Sequence, residues 1–330
     1  MMDILVIGGS QFVGKAQIET LLAAGHSVTM FNRGKSHPDA FPDVERVTGD
    51  RDGDLSNLPD KTWDAVIDTC GYIPRIVRLS AEYLKDRVKQ YVFVSTISVY
   101  EDGLAPNFDE DAPLKTLEDE SVEEVTGETY GGLKVLCENV VQELYPDTYL
   151  ISRPGLIVGP YDPINRLPYW VTRIAQGGRV LAPGKSENPL QLIDARDIAD
   201  WTLKQVEAGN TGIYNMTGPD ANLTLGTLFE TIKTVSGSDA EFVWADDAFL
   251  QSQELVPFQD LPYWLPEPTN QTLFSVGIQR GIDTGLTFRS LETTIQDTLD
   301  WLKLPETEQP GRAGISRERE SDALAAFDAQ

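Results

Sequence analysis

Histidine is nearly absent, with only His26 and His37 in 330 positions. A serine–histidine relay or a histidine-ligated metal therefore has almost no raw material. His26 precedes an expected strand and His37 sits in a polar loop beside Pro38, so both read as structural or solvated. Cysteine is as scarce. Cys70 and Cys137 lie far apart in apolar surroundings with no zinc spacing and no disulfide framework, which reads as two buried free thiols. No metal site is expected. No apolar run approaches the roughly 18 residues of a membrane span, and Met1-Met2-Asp3 carries no basic leader, so a cytoplasmic protein away from membranes is expected. Positive charge is the last deficit. Eleven Lys and sixteen Arg face 52 acidic residues, for a net charge of −25. Such a surface repels nucleic acid and anionic membranes, favours solubility and suits a salt-rich cytoplasm.

What is present is a repeating strand–helix rhythm. A hydrophobic content of 41% over 330 residues supports one large domain or two coupled ones. Ile4-Leu-Val-Ile7 runs into Gly8-Gly9-Ser10-Gln11-Phe12-Val13-Gly14, and Ile18, Leu21 and Leu22 then predict a helix closed by Gly25. Strand, glycine turn and helix form the context in which helix-start amides hold a pyrophosphate. Gln11 stands where the usual spacing has its middle glycine. Further strands are predicted at Ser27–Phe31, Arg46–Gly49, Ala65–Ile67, Gln90–Val94 and Tyr149–Ser152. Alternating elements of this length predict an α/β fold with a doubly wound parallel sheet. Ligands on such sheets bind beyond the carboxyl ends of the strands, where Gly8, Asn32, Asp50, Cys70 and Thr96 all fall.

The second strand is followed by Asn32-Arg33-Gly34-Lys35. An acid there accepts from the ribose hydroxyls of NAD, whereas Arg welcomes the 2′-phosphate of NADP. With no acid and two cations, NADP is favoured and NAD stays open. Asp50-Arg51 leaves the third strand either as an adenine contact or as a polar turn, and Asp68-Thr-Cys70-Gly71-Tyr72 leaves the fourth. Residues 101–128 hold eleven acids and one Lys, a solvated connection near the site mouth. An amphipathic helix follows, with Leu133, Leu136, Cys137, Val140, Val141 and Leu144 as its apolar stripe. Tyr130 and Lys134 lie one turn apart at its head. A lysine beside a phenol favours phenolate, which makes Tyr130 a candidate general base toward an alcohol. Beyond the sixth strand the rhythm loosens. Helices are predicted at 169–176, 198–207, 225–235 and 291–302, with a strand at 190–193 and another at 212–216. A short final helix is predicted near 318–327, and Pro262–Pro268 reads as either an apolar lid or core packing.

Gly8-Gly9-Ser-Gln-Phe-Val-Gly14, Val94-Ser-Thr96-Ile-Ser-Val-Tyr100, Tyr130-Gly-Gly-Leu-Lys134, Arg153-Pro154 and Asp197-Ile-Ala199 occur in the order of one known family. Over residues 3 to about 303 the chain resembles an extended or atypical short-chain dehydrogenase/reductase of the NAD-dependent epimerase/dehydratase family. Within it, Gly-Gly-x-x-Phe-x-Gly is similar to a subgroup called isoflavone-reductase-like, sugar-epimerase-like and chloroplast-RNA-binding-like. The resemblance implies a Rossmann-type domain over 1–155, with 190–216 returning to it. A smaller α/β substrate-binding domain is expected over 156–189 and 217–304, then a polar tail over 305–330. It implies cofactor contacts from Gly8, Gly9, Ser10, Gln11, Phe12, Val13, Gly14, Asn32, Arg33, Asp50, Arg51, Cys70, Gly71, Tyr130, Lys134 and Pro154. Tyr130 would be the acid/base on a carbinol or carbonyl oxygen, and Thr96 would bond to that oxygen. Lys134 would bind the nicotinamide ribose and lower the tyrosine pKa. Homodimers through helices are also implied.

Three departures from the family narrow the reading. Ile97 and Ser98 stand where dehydratases carry an Asp-Glu pair. Leu190 and Gln191 stand near the place of the arginine that holds a nucleotide sugar, and Arg196 is expected to point elsewhere. No Asn lies between Asn57 and Asn107, where one often completes the catalytic set. The expected activity is an NAD(P)-dependent oxidoreductase acting on a small sugar, polyol or phenolic molecule. A sugar epimerase that retains its cofactor, and a non-catalytic dinucleotide- or RNA-binding protein, are the alternatives.

Overall fold

The first strand, β1 (Asp3–Ile7), is apolar without alternation because it lies between two parallel neighbours and both its faces are covered. Ile4 and Val6 enter the core on one face of the sheet, Leu5 and Ile7 the core on the other. The computed structural model describes every residue except 54, 220–221, 268, 270–272, 305–310, 312 and 330. Around β1 stand β2 (Ser27–Asn32), β3 (Glu45–Thr48), β4 (Trp63–Asp68), β5 (Val88–Val94), β6 (Tyr149–Pro154) and a late strand, Gly212–Met216. They form one seven-stranded parallel sheet in the order Gly212–Met216, β6, β5, β4, β1, β2, β3. Chain order reverses between β1 and β4, the place where such sheets open a crevice.

Helix α1 (Phe12–Ala23) covers one face beside α5 (Ala195–Ala208), with Gln17 Nε2 donating to Thr202 Oγ1 at 3.2 Å. On the other face α2 (Pro74–Leu84) packs against α3 (Tyr130–Leu144). Leu133, Cys137, Val140 and Val141 of the expected stripe are buried; Leu136 and Leu144 are half-buried at its edge. The polar connection 101–128 is tied down more firmly than its composition suggests. Glu110 is 6% exposed and its Oε1 accepts from Asn215 N at 2.7 Å.

Between and after these elements come β7 (Leu156–Val158), α4 (Arg166–Ala175), β8 (Arg179–Pro183), β9 (Pro189–Leu190) and β10 (Leu192–Asp194). The late strand of the main sheet is β11, and β12 (Leu223–Thr224), α6 (Leu225–Ser236), β13 (Glu241–Ala245) and α7 (Asp247–Ser252) follow it. The last helices are α8 (Gln279–Asp283), α9 (Leu291–Leu302) and α10 (Arg317–Asp328). β8 pairs in parallel with β13 beside a separate core that includes Trp170, Phe229 and Trp264. β7, β8, β12 and β13 have two to five residues each, too short for a periodic pattern, and were not expected from sequence. α4 begins three residues before the expected Tyr169. α5 begins at Ala195 rather than Ile198, because the Asp194 side chain caps it by accepting from Arg196 N.

Trp264 is 1% exposed and donates from Nε1 to Asp247 Oδ1, so this part of the aromatic stretch is core rather than lid; its end, Pro268, lies outside the described residues. The first part of the tail, 305–310, also lies outside them, while α10 buries Ala323 and Leu324 against the second core. Among the described residues no helix is long and apolar enough to cross a membrane.

Candidate active site

Because the seven strands are parallel, their carboxyl ends share one rim. At the exit of β1, Gly8 and Gly9 adopt φ of 103° and 89°, which favours glycine. A Cβ on Gly14 would sit 2.7 Å from Gly9 N and 2.8 Å from Gly9 Cα, so only glycine lets α1 approach the turn this closely. Ser10 and Val13 are buried, Phe12 is half-buried at φ 39°, and Gln11 is exposed at the N-cap without a side-chain capping bond. The first turn of α1 contains no acid. Amides with no side-chain acceptor, a glycine cradle and no competing carboxylate fit the pyrophosphate of a dinucleotide.

Next along the rim, Asn32 braces the loop. Its Nδ2 donates to Gly8 O at 3.0 Å and its Oδ1 accepts from Gly34 N at 2.9 Å. Arg33 and Lys35 are exposed beyond it. Asp50 is exposed, and its Oδ1 accepts from Asp52 N. Arg51 departs from expectation. Rather than facing a ligand, its guanidinium binds Asp68 with two hydrogen bonds of 2.7 Å and Ser80 Oγ with one of 2.5 Å. Burial alone would push the Asp68 carboxyl up; the Arg51 charge and hydrogen bonds, with donors from Cys70 N and Tyr91 OH, outweigh it and hold the pKa below the usual range. Burial likewise raises the Cys70 thiol, and Arg51, in contact with it at 3.7 Å, offsets this only in part. Gly71 is buried, and a Cβ there would meet the Phe93 ring. Pro154 ends β6, also buried.

Thr96 follows β5 and caps a 3-10 turn, Ile97–Val99, with Oγ1 accepting from Ser98 N at 3.1 Å. The head of α3 reaches this turn because positions 131 and 132 are glycine. A Cβ on Gly131 would run into the Ser98 carbonyl oxygen, and one on Gly132 would meet Leu117 Cγ at 2.5 Å. That approach brings Tyr130, the first residue of α3, to the turn that Thr96 caps. Lys134 is held by backbone carbonyls rather than by the phenol. Lys134 is 2% exposed, and its Nζ donates to Gly71 O at 2.7 Å and Val94 O at 2.8 Å, 4.1 Å from the Phe93 ring centroid. The ammonium therefore ties the exits of β4 and β5 together. Burial raises the Tyr130 pKa; the Thr96 hydroxyl and then the Arg166 charge draw it back only in part. The phenol thus titrates above its ordinary value here.

Arg166, at the start of α4, was not singled out from sequence, since nothing in Asn165-Arg-Leu-Pro168 shows which way it turns. Behind the rim, Arg153 is 1% exposed and pairs with Glu138 at 2.6 Å. It also donates to Tyr100 OH at 2.9 Å, and that hydroxyl donates to Asn215 Oδ1 at 2.6 Å. Two of the family-like motifs are thereby one buried network that fixes the turn carrying Thr96. Arg196 pairs with Asp194 and Asp297, and the side chain of Gln191 exchanges hydrogen bonds with the backbone of Val276. Neither is free to act as the missing phosphate arginine.

Residues 74–217 match the model of the NAD dependent epimerase/dehydratase family. The chain is similar to the chloroplast stem-loop binding protein of 41 kDa b of Arabidopsis thaliana, with 26% identity over 241 residues. That stretch covers 65% of this chain and 58% of the relative, so less than two thirds of the relative's length is matched. Among solved structures, the Bordetella bronchiseptica enzyme WbmH in complex with NAD+ superposes with a TM-score of 0.71 at 15% identity, over 93% of this chain and 100% of that one. The UDP-Glc/GlcNAc 4-epimerase of Campylobacter jejuni gives 0.69 at 16%, over 92% and 99%. A dTDP-glucose 4,6-dehydratase from Bacillus anthracis in complex with NAD gives 0.66 at 18%, over 93% and 98%. At these identities the solved structures share the fold.

Proposed function

We infer that this chain, whose residues 74–217 match the model of the NAD dependent epimerase/dehydratase family, is an NAD(P)-dependent enzyme moving hydride at a carbinol or carbonyl carbon of a small sugar, polyol or phenolic substrate. The observation that supports this is the glycine cradle at the first turn of the sheet, with the head of α3, which carries Tyr130, packed by Gly131 against the turn that Thr96 caps. A bound nicotinamide would take up or return the hydride. Tyr130 would hold the proton exchanged with the substrate oxygen, and Thr96 would orient both. Lys134 would act by fixing the strand exits that frame the ribose. Arg33 and Lys35 favour a 2′-phosphate on the cofactor, whereas several solved structures of this fold were determined with NAD. Dehydration is disfavoured, since the buried Ile97 cannot move a proton.

The experiment is turnover of a polyol, sugar and ketone panel with each cofactor, for wild type and Tyr130→Phe. Loss of the phenol should lower kcat by about 10²–10⁴-fold with the circular dichroism spectrum unchanged. Wild-type turnover by Tyr130→Phe would remove the assignment. The family description favours one further reading, epimerisation with retained cofactor. It requires that purified protein carry stoichiometric dinucleotide and turn over without added cofactor.

A further inference from the structure

Between β7 and α4 the chain leaves the main sheet for the second core, and its path runs over the helix starts at the rim. Gly159, at φ 119°, lies against the Asp194 carboxylate that caps α5; a Cβ there would be 3.3 Å from Asp194 Oδ2. Two residues on, the Tyr161 ring lies over the ammonium of Lys15 in the first turn of α1, 4.6 Å from Nζ to the ring centroid. The same ammonium is 4.9 Å from the ring centroid of Phe41, which comes from the loop after β2. Glu19, one turn along α1, pairs with Lys15 at 2.5 Å. Tyr161 also meets Trp301 of α9, with ring centroids 5.4 Å apart. Residues 159–161 therefore pass from the start of α5 to the start of α1, the helix whose amides form the cradle. They end in a clasp of one ammonium and two aromatic rings.

Both rings are carried on unfavourable backbone. Tyr161 has φ 67° and Phe41 has φ 57°, left-handed values that bulky residues rarely adopt and that persist only where neighbours hold them. A cation–π contact near the surface is weak, so clasp and strain are of similar size and the closed form is easily undone. The base of the loop is firmer. Asp162 is fully buried and accepts from Ile164 N at 2.9 Å and Arg166 N at 3.1 Å, and Asn165 Nδ2 donates to Ala313 O at 3.0 Å. Tyr161, by contrast, is 39% exposed. A fixed base, a glycine at the other end and a strained, weakly held tip are the parts of a strap that opens. We propose that residues 159–161 close over the pyrophosphate of a bound dinucleotide by clasping Tyr161 onto Lys15 and Phe41, so that cofactor enters and leaves only when the clasp opens. The strap rests on the dinucleotide binding of the function proposed above. Because the clasp is made from the chain's own residues, it sets the rates of exchange rather than the affinity.

The test is stopped-flow binding of NADH and NADPH to the full chain, read by nicotinamide fluorescence. Association comes from the concentration dependence, and release from displacement by excess oxidised cofactor. A gate lies on both paths, so Tyr161→Ala should raise the association and release rate constants together, each by roughly tenfold, and leave their ratio nearly unchanged. Tyr161→Phe keeps the ring and should behave as wild type. Lys15→Met keeps the stem but loses the charge, and should speed release as Tyr161→Ala does. Phe41→Ala carries the same expectation from the other side of the clasp, should the variant at 161 fail to fold. Wild-type rate constants in both alanine variants overturn the strap and leave the dinucleotide site standing. Slower association in Lys15→Met, with the alanine variants unchanged, would make Lys15 a phosphate contact and also overturn the strap. Absence of NADH and NADPH binding in wild type removes the proposed function and the strap together.

Discussion

Arg51 and Asp68 form an ion pair, closed by Ser80 and Tyr91, at the carboxyl end of the sheet. Both are buried, so removing one partner strands the other. Arg51→Met should cost about 3–5 kcal/mol in urea unfolding at pH 7, and Arg51→Met/Asp68→Leu should recover part of that loss. The pH dependence has a definite sign. Asp68 titrates lower in the folded chain than the ordinary value of about 3.9. Its contribution is therefore complete above that value and is lost as pH falls through the depressed folded value. Asp68→Asn should be less stable than wild type at pH 7, and the gap should shrink at pH 3. A gap that widens in acid would show that the carboxylate is not held by Arg51. At this scale sequence is informative wherever a strand end or helix start fixes a short side chain, as for Thr96 and Tyr130. It is not informative for long cations. The positions of Arg51, Lys134 and Arg166 place a Cα near the rim, but five or more bonds separate that atom from the charge. Only packing decides that Arg51 turns into the core and Lys134 onto two carbonyls.

Helix α3 owes its placement to two glycines in its first turn, residues that weaken a helix by about 1 kcal/mol each relative to alanine. The obstacle at position 131 is a backbone carbonyl, Ser98 O, while at 132 it is the side chain of Leu117. The two positions should therefore respond differently. Gly131→Ala must push the helix head away from the Thr96 turn, at about 1–3 kcal/mol of stability and a larger loss of rate, since a misplacement near 1 Å costs about 10²-fold. Gly132→Ala gains helix propensity and needs only a leucine to turn, so it should stay near wild type in both. Urea melts and initial rates of the two variants check this. Equal effects would mean that the contact with Ser98 does not position Tyr130. Element by element, long periodic stretches were legible: α3 runs from Tyr130 to Leu144, and the six strands of the first half lie within two residues of their predicted bounds. The short β8 and β13 were not. Their partners are about 60 positions apart, and neither is long enough to show alternation.

The whole molecule carries 52 acids against 27 bases, and many bases are already engaged. Arg75 is held by Asp52 and Glu123, Arg78 by Glu143, Arg179 by Asp328 and Lys89 by Asp64. Composition predicted this surface without any knowledge of the fold, but not which cations are paired. The balance bears on the similarity to a chloroplast stem-loop binding protein. Affinity for an RNA backbone comes chiefly from lysines and arginines that replace counterions on phosphates. Exposed pairs such as Arg75 with its two carboxylates would have to break before contributing, against long-range repulsion that low salt strengthens. Arg33 and Lys35 at the dinucleotide rim form no ion pair with a described residue, but two cations release too few counterions to overcome a net charge of −25. A stem-loop RNA should therefore show no saturable filter retention at 50 mM salt up to protein concentrations of about 10⁻⁴ M, the weak end of ordinary non-specific binding. Saturable retention that falls steeply with added salt would require a basic path across this surface. The first variants to test would then be Arg33→Ala and Lys35→Ala, because the same two cations are the ones assigned to the cofactor phosphate.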